Sequence, residues 1–321
     1  MTATLSGHLW TIAPTVLGRG LARIRARATH GQRWHCTVSD DPEVTLTGRL
    51  ESAPHQRTLC VILHGLGGSA NSVYMLRCAT ACREHDIASL RLSLRGADGR
   101  GDDMYHAGLV GDLHQVLDHP LVAAFSRLIV VGYSLGGHVA LHLAASDPPP
   151  KRKPAAVAAI CPPLDLAAAS AGFDAGPRWL YRRHVLESLK SSYATIAARG
   201  RGWVDPHLVA TIDRIRQWDD QVVVPRFGFA STDAYYRQMS AGPRLSRLAV
   251  PTLILHSRLD PVVPWSAVAP WRGTSPRACF TDVASGGHCS FAPGTDLRLD
   301  PRASRAASVE HQLIRWCLRA G

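Results

Sequence analysis

Lysine is scarce in this sequence. Only Lys151, Lys153 and Lys190 contribute to its 36 basic side chains, so the net charge of +11 is carried by arginine. The arginines are spread through all segments, and no nucleic-acid recognition motif accompanies them. We therefore expect no nucleic-acid partner, despite the basic composition.

Long apolar runs are also absent. No stretch approaches the eighteen or so apolar residues of a membrane span, and residues 1–10 lack the basic start and apolar run of a secretory signal. The eight cysteines are scattered, several within apolar runs (Cys60, Cys161, Cys317), which favours buried reduced thiols over a disulfide framework. We expect a soluble cytoplasmic protein without stable membrane insertion.

What the chain does contain is an alternation of apolar strands and helical stretches. Residues Gln32 to Val38 and Val44 to Leu50 predict a hairpin at an antiparallel edge of the sheet. Later strand and helix patterns, including a helix from Gly108 to Leu117 and a closing helix from Ser304 to Leu318, predict a mostly parallel sheet flanked by helices. The fold class is therefore α/β, in one large domain.

Residues 164–240 interrupt this pattern with helical segments. They contain ten of the chain's 21 aromatic side chains. We predict that residues 1–163 and 241–321 form the core and that 164–240 form a helical cap with an apolar lining. The alternative is a cap that binds charged groups through Arg178, Arg182 and Arg183.

A Gly-x-Ser-x-Gly turn, centred on Ser134, follows the apolar run Leu128 to Val131. A helical stretch begins directly after the serine, so the order is strand, sharp turn and helix. That context is typical of a nucleophile elbow, in which the serine hydroxyl is exposed next to the N–H groups of a helix N-terminus.

Serine needs a base to take its proton, and the base needs an orienting acid. Asp260 follows the strand Pro251 to His256, and His288 follows the next strand, Ala278 to Val283. Carboxyl ends of parallel strands meet at one edge of the sheet. The order Ser134, Asp260, His288 is that of an α/β-hydrolase triad.

An oxyanion needs two preorganised N–H donors. Leu135, directly after the serine, predicts one of them, and Leu66 in the glycine-rich turn after the strand Leu59 to Leu63 predicts the other. The same turn could instead bind a dinucleotide, but Asp86 precedes the next strand, where a ribose-binding acid would have to follow it. A metal site at Cys78, Cys82 and His85 is a further alternative, although the same spacing fits a helix face packed in the core. We expect neither a cofactor nor a metal.

The sequence resembles the YheT-like branch of the α/β-hydrolases over nearly its whole length. The resemblance rests on these segments: Gly7–Pro14, His64–Ser69 with Asn71 and Tyr74, Arg95-Gly96, Tyr105–Gly108, Gly132–Gly137, Pro163–Leu166 and Phe227–Tyr236. It implies Ser134 as nucleophile, Asp260 as acid and His288 as base, with ester hydrolysis. Ser290 stands where the family commonly has glycine, and Leu259 where it commonly has aspartate.

The sequence thus predicts a serine carboxylester hydrolase that acts on short- to medium-chain apolar esters. Acyl transfer and thioester hydrolysis use the same machinery and stay open. So does a ligand-binding protein without turnover, although such a role would not require a base and its orienting acid.

Overall fold

A central β-sheet organises the described part of the chain. The computed structural model describes residues 6–11, 31–38, 44–175, 178–300 and 307–320. Within these ranges the strands are β1 (Gln32–Val38), β2 (Val44–Glu51), β3 (Thr58–Leu63), β4 (Ala88–Ser93), β5 (Arg127–Tyr133), β6 (Ala156–Ile160), β7 (Thr252–Ser257) and β8 (Ala278–Val283).

Helices cover both faces of this sheet. They are α1 (residues 6–11), α2 (Val73–Glu84), α3 (Gly111–Asp118), α4 (Pro120–Ala123), α5 (Leu135–Ala144), α6 (Leu166–Asp174), α7 (Trp179–Ala198), α8 (Pro206–Thr211), α9 (Ile215–Trp218), α10 (Val224–Phe227), α11 (Thr232–Met239) and α12 (Val309–Ala320). A π-helical turn, Asp219–Val223, joins α9 to α10. Within the ranges given above, none of the helices is long and apolar enough to cross a membrane.

The strands lie in the order β1-β2-β4-β3-β5-β6-β7-β8. β2 pairs antiparallel with both β1 and β4, whereas all other neighbours are parallel. The predicted hairpin is therefore confirmed as an antiparallel edge, and the α/β class with a mostly parallel sheet is confirmed as well.

Alternation along the strands builds two hydrophobic clusters, one on each face of the sheet. In β3, Leu59, Val61 and Leu63 face the cluster that contains α3, α5 and the helices between β6 and β7. Cys60 and Ile62 face the cluster that contains α2 and α12. Because both faces are covered, the central strands are buried throughout, which explains their continuous apolar runs.

Two predicted helix boundaries differ from the structure. The helix expected from Gly108 begins at Gly111. In the turn before it, the N–H groups of Ala107 and Gly108 donate to the Tyr235 hydroxyl and to His106 Nδ1 at 2.9 and 3.1 Å. The closing helix runs from Val309 to Ala320. Its predicted start falls in 301–306, outside the described residues.

All eight cysteines lie in the described ranges and are free. Seven are buried, including Cys60, Cys161 and Cys317, and Cys279 is exposed. The prediction of buried thiols is therefore confirmed for the three cysteines within apolar runs.

Candidate active site

Ser134 occupies a strained turn between β5 and α5. Its φ and ψ are 52° and −119°, a conformation that L residues rarely adopt and that is typical of functional sites. The turn is tight because glycine flanks it: a Cβ at Gly132 would lie 2.2 Å from the Gly136 carbonyl oxygen, and one at Gly136 would lie 2.5 Å from the Leu63 carbonyl oxygen. The structure therefore places the serine as an elbow would, at the carboxyl edge of the sheet.

Asp260 and His288 meet at the same edge. Asp260 Oδ2 accepts a hydrogen bond from His288 Nδ1 at 2.8 Å, and its Oδ1 accepts from the N–H groups of Val262 and Val263 at 2.7 and 3.0 Å. The Thr11 hydroxyl accepts from the His288 N–H at 2.8 Å, which fixes the loop that carries the imidazole. This arrangement leaves Nε2 of His288 available for chemistry.

The Asp260 side chain is wholly buried, whereas the His288 side chain is 14% exposed. Burial by itself raises the pKa of Asp260. The charge of His288 and its hydrogen bond lower that pKa and together outweigh burial, so the pKa lies below the usual aspartate value. Asp260 is consequently a carboxylate that can stabilise an imidazolium at His288.

Ser134 and His288 line one cavity of about 1640 Å³. In the described part of the chain no hydrogen bond joins the serine hydroxyl to the imidazole. Catalytic hydrogen bonds are often long before substrate binds, so this spacing is compatible with catalysis. The structure thus brings the three predicted residues to one site, with the acid and base already paired.

The turn after β3 leaves one of its N–H groups without a partner. The Gly65 and Gly67 N–H groups donate to the hydroxyls of Tyr74 and Tyr105 at 3.0 and 2.9 Å, and Gly68 N–H donates to the Gly65 carbonyl at 2.9 Å. Among the described residues, no acceptor contacts the Leu66 N–H. This N–H is therefore available for an anionic oxygen.

The same turn lies directly against Ser134. A Cβ at Gly65 would lie 3.0 Å from Ser134 Cβ, so any larger residue there would have to displace the serine slightly. Leu135 is the first residue of α5, and the first N–H groups of a helix have no intrahelical acceptor. The N–H groups predicted as oxyanion donors, those of Leu66 and Leu135, thus belong to two segments that flank the serine.

His64 holds the turn in place through hydrogen bonds, and it is not among the functional residues predicted from the sequence. It is fully buried, its Nε2 accepts from the Leu94 N–H at 3.0 Å, and its Nδ1 donates to the Gly65 carbonyl at 2.7 Å. Because a backbone N–H can only donate, Nε2 must be unprotonated and the imidazole neutral. Burial lowers the pKa of His64 to about 4, although the hydrogen bond to Gly65 opposes that shift. The sequence signal for His64 is its place at the start of the segment His64–Ser69, one of those on which the resemblance rests.

The helices between β6 and β7 supply the apolar wall of the cavity. Five of the ten aromatic side chains in this segment line it, together with aliphatic side chains from α6, α7 and α9: Phe173, Tyr181, Trp218, Tyr235, Tyr236, Leu166, Ala169, Leu180, Val185, Leu189 and Ile215. By contrast, Trp179 is 50% exposed, and Tyr193 packs edge-on against Trp203. The aromatic surplus therefore serves both cavity and packing.

The three arginines considered as an alternative lining are engaged elsewhere. Arg178 donates to the carbonyls of Pro261 and Gly172, Arg182 donates to the Asp174 and Asp213 carbonyls, and Arg183 pairs with Glu187 at 2.7 Å. None of the three lines the cavity. These three arginines therefore do not give the cavity a charged lining.

The cysteines considered for a metal site lie outside the cavity. Cys78 and Cys82 face Cys60, and their sulfur atoms all lie within 4.8 Å of one another in the core between α2 and β3. His85 does not join them, because its ring lies against that of His311 at a centroid distance of 5.2 Å. The alternative set of ligands, Cys78, Cys82 and His85, is therefore not brought together, although the thiols are close.

Fold and site define the class of protein. Residues 60–296 match the model of the alpha/beta hydrolase family, and the chain belongs to this family. It is 30% identical over 302 residues to "Putative esterase YheT" of Escherichia coli (strain K12), which covers 90% of this chain and 85% of that protein. The predicted YheT-like resemblance is thereby confirmed.

More distant relatives and solved structures agree. Human "Phospholipase ABHD3" is 25% identical over 267 residues, covering 79% of this chain and 65% of that protein. The solved structure of the Pyrococcus furiosus esterase Pf2001 superposes with a TM-score of 0.53 at 15% identity, over 81% of this chain and 84% of that one. The structural likeness shows the fold, and the named relatives support a hydrolase.

Proposed function

We propose that this protein is a serine carboxylester hydrolase with Ser134 as nucleophile, His288 as base and Asp260 as orienting acid. The observation that carries the proposal is the 2.8 Å Asp260–His288 hydrogen bond in the cavity that contains the strained Ser134. A buried carboxylate aligned on an imidazole beside an elbow serine is the arrangement that activates a hydroxyl for acyl transfer.

In this mechanism, Nε2 of His288 takes the proton of Ser134 as Oγ attacks the ester carbonyl. The negative charge that develops on the carbonyl oxygen is stabilised by the N–H groups of Leu66 and Leu135. His288 then protonates the departing alcohol. In the second half of the reaction His288 takes a proton from water, the water oxygen attacks the acyl-enzyme, and His288 returns the proton to Ser134 Oγ as the acid is released. The chain's own residues perform each step.

The acyl group packs against the apolar wall formed by α6, α7, α9 and α11. We propose that residues 164–240 act as a cap over the serine. Support comes from the aromatic and aliphatic side chains that this segment contributes to the cavity. Each methylene buried there contributes about 0.8 kcal/mol, or about fourfold in kcat/KM, until the pocket is full. Short- to medium-chain apolar esters are the proposed substrates.

The experiment is active-site labelling with a fluorophosphonate. Wild-type protein is expected to be labelled at Ser134 and to hydrolyse p-nitrophenyl butyrate, and Ser134→Ala is expected to lose both properties. Ser69→Ala is the matched control, because Ser69 also lines the cavity and, within the described ranges, its hydroxyl contacts only the Asn71 N–H of its own turn. Equal turnover by wild type and Ser134→Ala would refute the assignment.

A further inference from the structure

The cavity is larger than an acyl group requires. Its volume of about 1640 Å³ exceeds the roughly 300–1,000 Å³ of ordinary small-molecule sites. A further part of the lining is polar and comes from the turn after β3, from α2 and from the loop after β8: Ser69, Asn71, Ser72, Arg77 and Ser290. The site therefore has room for a second, polar part of the substrate.

Arg77 is the group in this polar wall that lacks a strong partner. Its guanidinium donates only to the Ser290 hydroxyl, at a long 3.4 Å, and forms no ion pair with a described residue. Of the other arginines in the cavity wall, Arg91 pairs with Glu51 and donates to the Ala70 carbonyl. Arg49 is held as weakly as Arg77, by one 3.4 Å hydrogen bond to the Gly31 carbonyl, but it lies on β2, far along the sheet from the loop after β8. Arg77 thus lines the cavity with most of its N–H donors lacking an acceptor among the described residues.

Glu310 on α12 is an acidic group near enough for the charge of Arg77 to act on its pKa. Burial raises the pKa of Glu310, and Arg77 lowers that pKa by a smaller amount, but the two side chains form no ion pair. The positive charge of Arg77 is consequently not cancelled by a bound carboxylate from the described chain. A partly buried cation of this kind favours an anionic ligand, because carboxylates and phosphates accept two parallel N–H bonds from a guanidinium.

The position of Arg77 indicates which part of the substrate it would contact. Its partner Ser290 follows His288 by two residues in the loop after β8. In ester hydrolysis the histidine must reach the oxygen of the departing alcohol, so side chains next to it face the alcohol part. The apolar wall comes from different elements, the helices between β6 and β7, and is proposed above to contact the acyl chain.

We infer that Arg77 binds an anionic group, a carboxylate or a phosphate, on the alcohol part of the ester substrate. The inference rests on the proposed hydrolase activity and adds a substrate class to it. A charged hydrogen bond of this kind corresponds to about a 10- to 100-fold preference in kcat/KM for the anionic ester over its neutral analogue.

Matched ester pairs test this inference. The first pair is 4-nitrophenyl butyrate and its 3-carboxylate, and the second is glycerol monobutyrate and its 3-phosphate, each assayed by butyrate release. Wild type is expected to prefer the anionic member of at least one pair, with carboxylate and phosphate distinguished by which pair responds. In Arg77→Gln the preference should fall by about 10-fold or more, chiefly through KM, and Arg77→Lys should retain part of it.

Arg83→Gln is the control, because Arg83 lies on the same helix, is 53% exposed and is absent from the cavity wall. Its preference should equal that of wild type. Turnover without a charge preference, or a preference that survives in Arg77→Gln, would overturn the inference and leave the hydrolase intact. Equal loss on both members of each pair would mean a structural role for Arg77. Absence of any turnover by wild type would refute hydrolase activity and the inference together.

Discussion

Acid should weaken the fold through His64, because the folded chain holds this imidazole neutral. The Leu94 N–H occupies Nε2, so protonation would place two donors against each other 3.0 Å apart. Burial lowers the pKa of His64 to about 4 in the folded chain. An unfolded histidine titrates near 6.5, so the stability that His64 contributes is complete above that pH and is lost as the pH falls towards 4.

The size of this effect follows from the two pKa values. Between about 6.5 and 4 the unfolded chain binds a proton at this position that the folded chain does not. The resulting loss in the free energy of unfolding is about 2 kcal/mol at pH 5 and about 3 kcal/mol at pH 4. Domains of ordinary stability, about 5–15 kcal/mol, would show this clearly.

The assay is urea unfolding at pH 7.5 and pH 5 for wild type and His64→Gln. At pH 7.5 the variant should be less stable by about 1–3 kcal/mol, because two buried hydrogen bonds are disturbed. At pH 5 that gap should shrink by about 2 kcal/mol, since only wild type pays for keeping position 64 neutral. His106 and His138, whose pKa values burial also lowers to about 4, act equally in both proteins and cancel.

His55→Gln serves as the control, because His55 is 65% exposed where it pairs with Asp86. Its stability relative to wild type should change by less than about 0.5 kcal/mol between the two pH values. A gap between wild type and His64→Gln that is the same at pH 7.5 and pH 5 would refute the argument, since it would mean that His64 titrates alike in the folded and unfolded chain.

Two further changes test the site and the fold. Asp260→Asn should lower kcat on p-nitrophenyl butyrate by about 10³- to 10⁴-fold, since it removes the charge that stabilises an imidazolium. Asp282→Asn is the control, because Asp282 of β8 pairs with Arg258 and Arg272, and it should leave kcat unchanged. Comparable losses in both variants would contradict the role of Asp260. Asp103→Asn should cost about 3–5 kcal/mol in urea unfolding, because two arginines lose a fully buried carboxylate. Asp233→Asn is the control, because the Asp233 carboxylate is 69% exposed in its pair with Arg216, and it should lower the free energy of unfolding by at most about 1 kcal/mol. Equal losses in Asp103→Asn and Asp233→Asn would show that burial does not determine how much these ion pairs stabilise the fold.

Patterns that repeat along the chain were sufficient to predict the sheet. Alternation gave the hairpin of β1 and β2 within one residue, and continuous apolar runs gave β3, β5 and β7. These signals are local, because each strand meets the same covering layers along its whole length. The order Ser134, Asp260, His288 needed only the further rule that parallel strands end at one edge.

Contacts between distant segments could not be predicted in this way. Arg226 of α10 and Arg95 of the loop after β4 share the wholly buried Asp103, a pairing that spans 123 residues of sequence in the first case. Arg91 is buried within β4, a strand that contains no acidic residue to pair with it. In both cases a charged residue is tolerated because a distant acid, Asp103 or Glu51, accompanies it, and no local pattern reveals that partner.

The Leu66 N–H shows the same limit at the centre of the proposed site. Sequence identified the turn and the residue, but an oxyanion donor is useful only if it is fixed in place and left unpaired. Fixing comes from four separate segments: His64 at the end of β3, Tyr74 in α2, Tyr105 in the loop before α3, and Ser188 of α7, whose hydroxyl donates to the Gly67 carbonyl at 2.8 Å. These partners form hydrogen bonds with the groups on either side of the Leu66 N–H and leave that N–H itself unpaired among the described residues. Its availability therefore depends on the complete fold, including contact with the helices between β6 and β7.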